Sequence, residues 1–495
     1  MPPLSLLVFV VGTGSLGSEI AAVRLLAPYF GDSTVIWANT IGIVLVALSA
    51  GYWVGGRWAD RHPHMRGLCL VALAAAVLIA LVPFAADPLL SAGVRALEQI
   101  SAGAFLGSLV AVLLLVAVPV FLLGAVSPWA LRLAVHDVEE AGRTAGRLYA
   151  LSTAGSLLGT LLPALVLIPV LGTRRTFLVL ALGIAVVAVW GLRPVRRYAL
   201  APALMLVLIA LPVGTLKAST SGRVIHERET AYQYARVVER ADGSRALELN
   251  EGQAQHSIWR RDTVLTDNVW DGHLVLPFAV REEAPGRVAI LGNAAGTTSR
   301  AYEAFFPATR VDGVEIDAEL SEIGRELFEM DNPRLRLHHE DARPWLQRAD
   351  PTFDVISVDA YRQPYIPFYL TTREFFALAR ARLAPGGVVV VNAGHPEGQD
   401  ELEKVLTASM GTAFPHLARD PITPTNTLLV GSVRSISARR LAGAASRLPP
   451  GLRPLARATA DRLAPPLRGG EVFTDDRAPV EWLIDRSIVD YAAGG

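Results

Sequence analysis

The stretch Arg287-Val-Ala-Ile-Leu-Gly292-Asn-Ala-Ala-Gly296-Thr-Thr-Ser299 reads as a strand that enters a glycine-containing turn and leaves it as a helix. A short apolar run bounded by glycine has the length of a buried strand, and glycines let the backbone approach a ligand where a helix begins. Related units follow. Thr309–Val314 ends in Glu315-Ile-Asp317, and Arg334–His338 leads to Glu340-Asp341-Ala342. Phe353–Val358 ends at Asp359, and Gly387–Val391 follows Leu383-Ala-Pro-Gly-Gly. Strands alternating with helical segments predict a doubly wound parallel sheet, a Rossmann-type α/β domain over residues 286–495. Upstream, the alternating segments Ala235–Arg240 and Arg245–Asn250 predict short antiparallel strands, so residues 217–285 read as a linker and a small β element.

The acids at the predicted strand ends carry the chemistry. Glu315 follows the glycine turn at the distance where a carboxylate accepts hydrogen bonds from both hydroxyls of a ribose, and it would repel a 2′-phosphate. Asp341 and Asp359 stand at two further strand ends. Each could instead cap a helix or solvate a loop, but three carboxylates around the turn Gly292–Gly296 suit a cationic ligand.

Residues 1–216 are of another kind. The chain of 495 residues is 52% hydrophobic and 19% charged with a mean hydropathy of +0.37, which excludes disorder, collagen-like repeats and disulfide scaffolds. Equal numbers of basic and acidic residues, 46 each, argue against a nucleic-acid partner. Cys69 is the only cysteine, so no intramolecular disulfide or cysteine-rich metal site can form. The apolar runs predict an α-helical transmembrane domain of about seven spans, near 4–27, 35–56, 67–86, 103–126, 148–171, 176–192 and 199–216. No cleavable signal peptide is expected, because the first span lacks a basic start and continues into Glu19 and Arg24.

Orientation sets two arguments against each other. With the N-terminus inside, the inner loops carry Arg57, Arg61, Arg66, Arg132, Arg143, Arg147, Arg193, Arg196 and Arg197, as the positive-inside rule prefers. Seven spans would then leave the second half outside, whereas a nucleotide-type ligand favours the cytoplasm, which is the expected side. Gly12-Thr-Gly14-Ser-Leu-Gly17 has the form of a dinucleotide fingerprint but lies within an apolar span. It reads, with Gly51-x-x-x-Gly55 and Gly155-x-x-x-Gly159, as close helix packing. Glu19 at membrane depth suggests a partner, such as Arg24, or a substrate or proton path.

The runs Ala289-Ile-Leu-Gly292-Asn-Ala-Ala-Gly296, Val314-Glu315-Ile-Asp317, Glu340-Asp341-Ala342 and Phe353-Asp-Val-Ile-Ser-Val-Asp359-Ala resemble the spermidine synthase family, the polyamine aminopropyltransferases with a methyltransferase-like fold. Ala231-Tyr232-Gln233-Tyr234 and Leu247-Glu-Leu-Asn250-Glu-Gly-Gln-Ala-Gln255 resemble its N-terminal β elements, so the resemblance covers about residues 220–435. Leu25-Leu-Ala-Pro-Tyr-Phe-Gly31 and Gly55-Gly-Arg-Trp-Ala-Asp60-Arg resemble the bacterial multi-pass membrane branch. The resemblance implies that Glu315 holds the ribose of decarboxylated S-adenosylmethionine and Asp341, with Ala342, the adenine. It implies that Gln233 and Gln255 face the sulfonium and that Gly292 and Gly296 shape the donor loop. Asp359 would be the catalytic carboxylate, since an amine attacks through its lone pair and must lose a proton. Tyr361 and Tyr365 would line the acceptor channel, although packing is an equal reading for Tyr361. No metal is required, because the sulfonium is already a good leaving group and positioning provides much of the acceleration.

Two departures stand out. Family members carry an aspartate within the glycine loop where Asn293, Ala294 and Ala295 stand here, and a second aspartate three residues past the catalytic one, where this chain has Arg362. Both weaken the case for putrescine as acceptor. Elsewhere, Trp270 beside Asp271 reads as a core aromatic with a surface carboxylate. Thr474 or Asp475 reads as a helix cap, and Arg434–Arg468 as a flexible or helical excursion near the membrane surface. His256, His273, His338 and His339 show no metal-ligand spacing.

The sequence therefore predicts a multi-pass membrane transferase whose partners are the lipid bilayer, a small-molecule amine and a sulfonium nucleoside, with no tightly bound cofactor and with a homodimer left open. A methyltransferase using S-adenosylmethionine, and a transporter or sensor that only binds nucleoside or polyamine, are the alternatives.

Overall fold

The computed structural model describes residues 4–30, 34–98, 103–211, 219, 221–250, 254–361, 365–484 and 486. The chain divides into two compact units, Met1–Ala218 with Glu229–Tyr234, and Ser219–Arg228 with Ala235–Gly495.

The first unit consists of α1 (Leu4–Phe30), α2 (Thr34–Arg61), α3 (Met65–Glu98), α4 (Gly103–Val112), α5 (Val118–Ala134), α6 (Ala141–Leu162), α7 (Ile168–Trp190), α8 (Val195–Tyr198) and α9 (Leu200–Ala210). One π-helical turn joins α4 to α5 and another joins α6 to α7. Among the described residues, five helical stretches are long and apolar enough to cross a membrane: Leu4–Ala27, Ile36–Arg61, Met65–Ala86, Gly107–Ala134 and Ala141–Trp190.

The last of these is not one rod. Gly172 has φ 80° and ψ 165°, outside the helical region. Pro163 and Leu180 both flank Gly17 of α1, although a straight helix between them would span roughly 26 Å. Along α1, Phe9 and Thr13 meet Gly155 and Gly159, so α6 runs parallel to α1. Val10, Gly14 and Gly17 meet Gly183, Ile184 and Leu180, so α7 runs back. The seven expected crossings are thus not reproduced as drawn. The fifth and sixth lie on one apolar helical stretch but on opposite sides of the reversal at Gly172, and of the seventh α9 supplies 11 residues, short of the roughly 20 a crossing needs, while 212–216 lie outside the described residues. The chain through α9 still runs from the level of Arg66, which donates to the Tyr198 hydroxyl at 3.5 Å, to that of Arg175, which donates to Ile209 O at 3.1 Å.

Small residues bring these helices into backbone contact. A Cβ on Gly155 or Gly159 would overlap the carbonyl oxygens of Phe9 and Thr13, and one on Gly51 or Gly55 would overlap Phe121 O and Ala125. Gly12-x-Gly14-x-x-Gly17 lies wholly inside α1, with Gly12 against the Ser152 carbonyl, so it packs helices and holds no phosphate. Glu19 is 8% exposed within this unit. Arg24 donates to the carbonyls of Thr230 (3.3 Å) and Ala231, and the Glu229 carboxylate accepts from Thr173 N, which ties Glu229–Tyr234 to the helices.

In the second unit, β1 (Arg223–Glu229), β2 (Tyr234–Glu239), β3 (Arg245–Leu249) and β4 (Gln255–Trp259) form a four-stranded sheet in that order, with β2–β3 and β3–β4 antiparallel. After α10 (Val269–Val275) come β5 (Arg287–Leu291), α11 (Thr297–Phe305), β6 (Arg310–Val314), α12 (Ala318–Leu327), β7 (Leu335–His338), α13 (Ala342–Arg348) and β8 (Phe353–Val358). Then follow α14 (Arg373–Ala381), β9 (Leu383–Gly394), α15 (Glu401–Gly411), β10 (His416–Thr423), β11 (Asn426–Ser432), α16 (Ala438–Ala444) and α17 (Arg453–Arg462). The main sheet has the order β10-β11-β9-β8-β5-β6-β7.

Two expectations need correction. The sheet is mixed: β9, β8, β5, β6 and β7 are parallel, but β11 and β10 add an antiparallel hairpin at one edge. Asn426–Ser432 can lie beside β9 because a tight turn at Thr423–Asn426 folds it back without a crossover helix. The segment Arg434–Arg468 is no flexible excursion. Its α16 and α17 bury Leu441 and Ala456 with Val288, Ile290 and Val390 in one core, and Arg462 holds the buried Asp420 at 2.8 and 3.1 Å. Alternation along β5 sends Val288 and Ile290 to this core and Ala289 and Leu291 to the core on the opposite face.

The backbone contact at Gly159 can be tested. Gly159→Ala should lower the thermal midpoint of the detergent-solubilised protein by an amount equivalent to about 1–3 kcal/mol. Gly183→Ala, whose nearest atom would be Val10 Cγ1 at 3.7 Å, should change it little. Equal midpoints for the two variants would refute the packing described for α1 and α6.

Candidate active site

The parallel strands finish in register. Leu291 pairs with Val314 and with Val358, Val314 with His338, and Val358 with Val391. One residue beyond this row stand Gly292, Glu315, Asp359 and Asn392. Strand order reverses between β5 and β8, so the row straddles the switch point where open α/β sheets bind ligands. Glu315 lies on one side of β5 and Asp359 on the other.

Gly292 makes this arrangement feasible. Its φ is 89°, and a Cβ there would overlap the Asp359 carbonyl oxygen and Ala360 Cα. Its amide donates to Val314 O at 2.9 Å while Asp359 N donates to Leu291 O at 2.9 Å, so the three strand ends are laced together. Gly296, with φ 88°, starts α11 and lies against Met330, whose sulfur a Cβ would overlap. Between them, Ala294 has φ 44° and donates to Glu315 Oε2 at 2.8 Å, and Ala295 N donates to Ser257 Oγ at 3.0 Å. Ser257 brings β4 to the loop, and Gln255 opens the same strand two residues earlier.

Each carboxylate is held by donors. Glu315, 7% exposed, accepts from Ala294 N and, at 3.1 Å, from Asp317 N, yet burial still pushes its carboxyl up to about 7. Asp359 accepts from Asn392 Nδ2 at 2.8 Å, and Asn426 Nδ2 donates in turn to Asn392 Oδ1 at 3.1 Å; the Trp270 indole N–H lies near enough to favour the charged carboxylate. Burial outweighs these bonds and raises Asp359 to about 6. Asp341 caps α13 by accepting from Arg343 N at 3.0 Å, and its Oδ2 accepts from the Tyr369 hydroxyl at 2.5 Å. Ala342 is the first residue of that helix.

Both tyrosines expected to line the acceptor channel are anchored in the fold. The Tyr361 hydroxyl donates to Asn392 O at 3.0 Å and accepts from Gly394 N at 2.6 Å, which pins it to β9, and burial raises its pKa. Tyr365 is 3% exposed within the core beside β8. Arg362 and Pro364 lie outside the described residues. Gln233 is buried in the turn Thr230–Gln233, where its carbonyl accepts from Thr230 N at 2.9 Å, and it groups with the first unit.

Several site residues escaped the sequence reading. Trp270 reaches Asp359, and Asp271 is not a surface carboxylate: at 3% exposure it accepts from Thr266 N, Thr266 Oγ1 and Asp267 N. No local spacing announces the contact between Trp270 and Asp359. Asn392 was findable, because it occupies the strand-end position that singles out the acids. His273, three residues after Trp270, has no hydrogen-bond partner for either ring nitrogen among the described residues, and burial lowers it to about 4, which keeps it neutral. Thr474 and Asp475 cap no helix; Thr474 pairs with Arg477 in a tight turn, and Asp475 reaches Arg343.

Residues 273–443 match the spermine/spermidine synthase domain. A probable polyamine aminopropyl transferase of Bifidobacterium longum is 33% identical over 191 residues, 38% of this chain and 42% of that protein. The polyamine aminopropyltransferase of Mycobacterium tuberculosis is 33% identical over 292 residues, covering 53% of this chain and 54% of that one. Polyamine aminopropyltransferase 2 of Ralstonia nicotianae is 28% identical over 422 residues, 79% of each chain. The chain spans about half the length of the first curated relatives it matches.

The raised carboxyls make stability depend on pH. A folded pKa of about 7 for Glu315, against 4.5 unfolded, contributes stability that is complete below pH 4.5 and is lost as pH rises through 7. The loss is at most roughly 3 kcal/mol. The ligand-free thermal midpoint should fall between pH 5 and pH 8, and Glu315→Gln should flatten that slope. A wild-type slope kept by the variant would refute the shift.

Proposed function

From a chain that carries a spermine/spermidine synthase domain, we propose a membrane-anchored polyamine aminopropyltransferase that moves the aminopropyl group of decarboxylated S-adenosylmethionine to an amine, releasing 5′-methylthioadenosine. The observation that carries this reading is the strand-end row, with Glu315 and Asp359 on either side of the Gly292 turn. Glu315 accepts from the ribose hydroxyls. Asp341 accepts from the adenine amino group, with Ala342 beside it at the start of α13. Gln255, on the strand that braces the glycine loop, serves the sulfonium side.

The chemistry follows from charge. The acceptor amine attacks the carbon next to sulfur, a C–N bond forms, and the C–S electrons leave with methylthioadenosine. The nitrogen must shed a proton, and Asp359, ionised above its pKa of about 6, is placed to take it. Asn392 donates to that carboxylate and holds its orientation, and Asn392 and Trp270 both favour its charged form. A sulfonium and an ammonium in turn stabilise two carboxylates that burial alone leaves strained toward protonation.

A second reading rests on one feature. The loop Gly292–Gly296 contains no carboxylate to receive an aminopropyl ammonium, which would suit intact S-adenosylmethionine and methyl transfer. Incubation with each donor and a panel of amines separates the two readings: methylthioadenosine supports aminopropyl transfer, and S-adenosylhomocysteine would overturn it.

The donor is an intracellular nucleoside, so the second unit is assigned to the cytoplasm. The arginine distribution over the seven spans expected from the sequence argues the other way. A C-terminal reporter that is active only outside the cytoplasm should therefore stay silent, and its activity would remove the donor from the reading.

Asp359→Asn should lower turnover by a factor of about a hundred or more while leaving methylthioadenosine binding within a few-fold of wild type. In the wild type kcat/KM should rise with pH through about 6. Asn392→Ala removes a donor to the charged form and should move that midpoint upward. Full activity in Asp359→Asn would sink the assignment.

A further inference from the structure

The acidic turn near the C-terminus, Thr474-Asp475-Asp476-Arg477, has no part in the chemistry above, yet its contacts lead to the donor side of the site. We infer that Asp475, Arg343 and Tyr369 form a positioning chain that fixes the Asp341 carboxylate for the adenine. The inference rests on the reading of Asp341 as the adenine-side carboxylate.

The contacts close a ring around Asp341. Its Oδ1 accepts from Arg343 N at 3.0 Å, the ordinary helix-cap bond. That bond alone fixes one oxygen and leaves the carboxylate able to pivot about it. Its Oδ2 accepts from the Tyr369 hydroxyl at 2.5 Å. The Tyr369 carbonyl in turn accepts from Arg343 Nη1 at 2.9 Å, so the residue that receives the cap also holds the residue that restrains the second oxygen. Both oxygens of Asp341 are therefore oriented before any ligand arrives, while further lone pairs remain to accept from an amino group.

Arg343 can close this ring only if its guanidinium is held. Asp475 does so with two parallel bonds, at 2.7 and 2.6 Å, the planar geometry in which arginine and carboxylate match. Asp475 Oδ1 also accepts from Thr372 Oγ1 at 2.7 Å, and Thr372 caps α14. The turn itself is anchored from inside. Phe473 is 1% exposed, its amide donates to Ser409 Oγ at 3.0 Å, and its carbonyl accepts from Arg373 N at 2.9 Å. A polar segment more than a hundred residues downstream thus braces a carboxylate that touches it nowhere. Tyr369 also sits in the segment that follows Asp359, so the ring joins the adenine side to the stretch leaving the catalytic strand.

Tyr369 and Arg343 are positioning residues, since they act on the nucleoside through Asp341. Full-length protein in detergent, titrated calorimetrically with 5′-methylthioadenosine, provides the test. Tyr369→Phe keeps the ring and removes only the hydroxyl. It should weaken methylthioadenosine binding about tenfold, with the acceptor KM unchanged and the thermal midpoint close to wild type. Arg343→Lys cannot reproduce the two parallel bonds to Asp475 and should weaken binding in the same way, whereas Asp475→Glu should restore most of what Asp475→Ala loses. Asp341→Asn, measured alongside, tests the underlying reading. Unchanged binding in Asp341→Asn would overturn the adenine assignment itself. Weakened binding there with wild-type affinity in both Tyr369→Phe and Arg343→Lys would overturn the positioning chain alone.

Discussion

The candidate site depends on one close approach, that of the Gly292 backbone to the carbonyl of Asp359. Two parallel strands whose helices leave on opposite sides of a sheet diverge at their ends, and a ligand that must touch both needs those ends kept together. At β5 and β8 this is done without a side chain between them. Gly292 turns with φ 89° into space a Cβ would fill, and the Asp359 amide closes onto Leu291. The carboxylates then fall on either side of a single turn. A methyl group at position 292 would part them before it touched any ligand.

Once the strand ends are set, the energetics follow from burial. Burial raises the pKa values of Glu315 and Asp359 although both carboxylates accept hydrogen bonds. Donors of backbone and amide type stabilise a carboxylate but do not neutralise it. Such a pair is incomplete without positive charge, and the sulfonium and ammonium of the proposed reaction supply it on the two sides of Gly292. Asp341 is half-buried, as Asp359 is, and its two oxygens are held by the start of its own helix and by Tyr369 of another segment.

What was legible in the sequence were features with a local cause. β5 and β8 have the predicted bounds because each is a short apolar run stopped by a residue that cannot continue it, and Glu315, Asp341 and Asp359 fall at strand ends because that position is fixed by counting. Asn392 obeys the same count along the parallel row but carries no charge, and β9 continues past it to Gly394. Trp270, Tyr369 and Asp475 were illegible for a better reason. Trp270 meets Asp359, Tyr369 meets Asp341 and Asp475 meets Arg343 across the fold, from segments separated by tens of residues, and no local pattern encodes those meetings. The antiparallel hairpin β10–β11 was missed because its strands follow α15 with the spacing of another α/β unit; their direction is decided by a turn of two residues at Pro424-Thr425.

The helical half shows the complementary limit. Length and apolarity measure how much chain can lie in lipid, and they count stretches, not passages. Ala141–Trp190 satisfies both criteria as one stretch, yet Pro163 and Leu180 lie against the same glycine of α1, which no straight helix permits. The reversal is located by backbone conformation at Gly172, a single residue in a region side chains avoid, and it falls in the interval 172–175 between the fifth and sixth expected spans. The packing that holds the returning helix is legible, because close approach needs small residues at regular spacing and Gly155 and Gly159 provide it. In this half the contacts between helices were therefore easier to read than the number of helices, because packing requires particular residue types and direction does not.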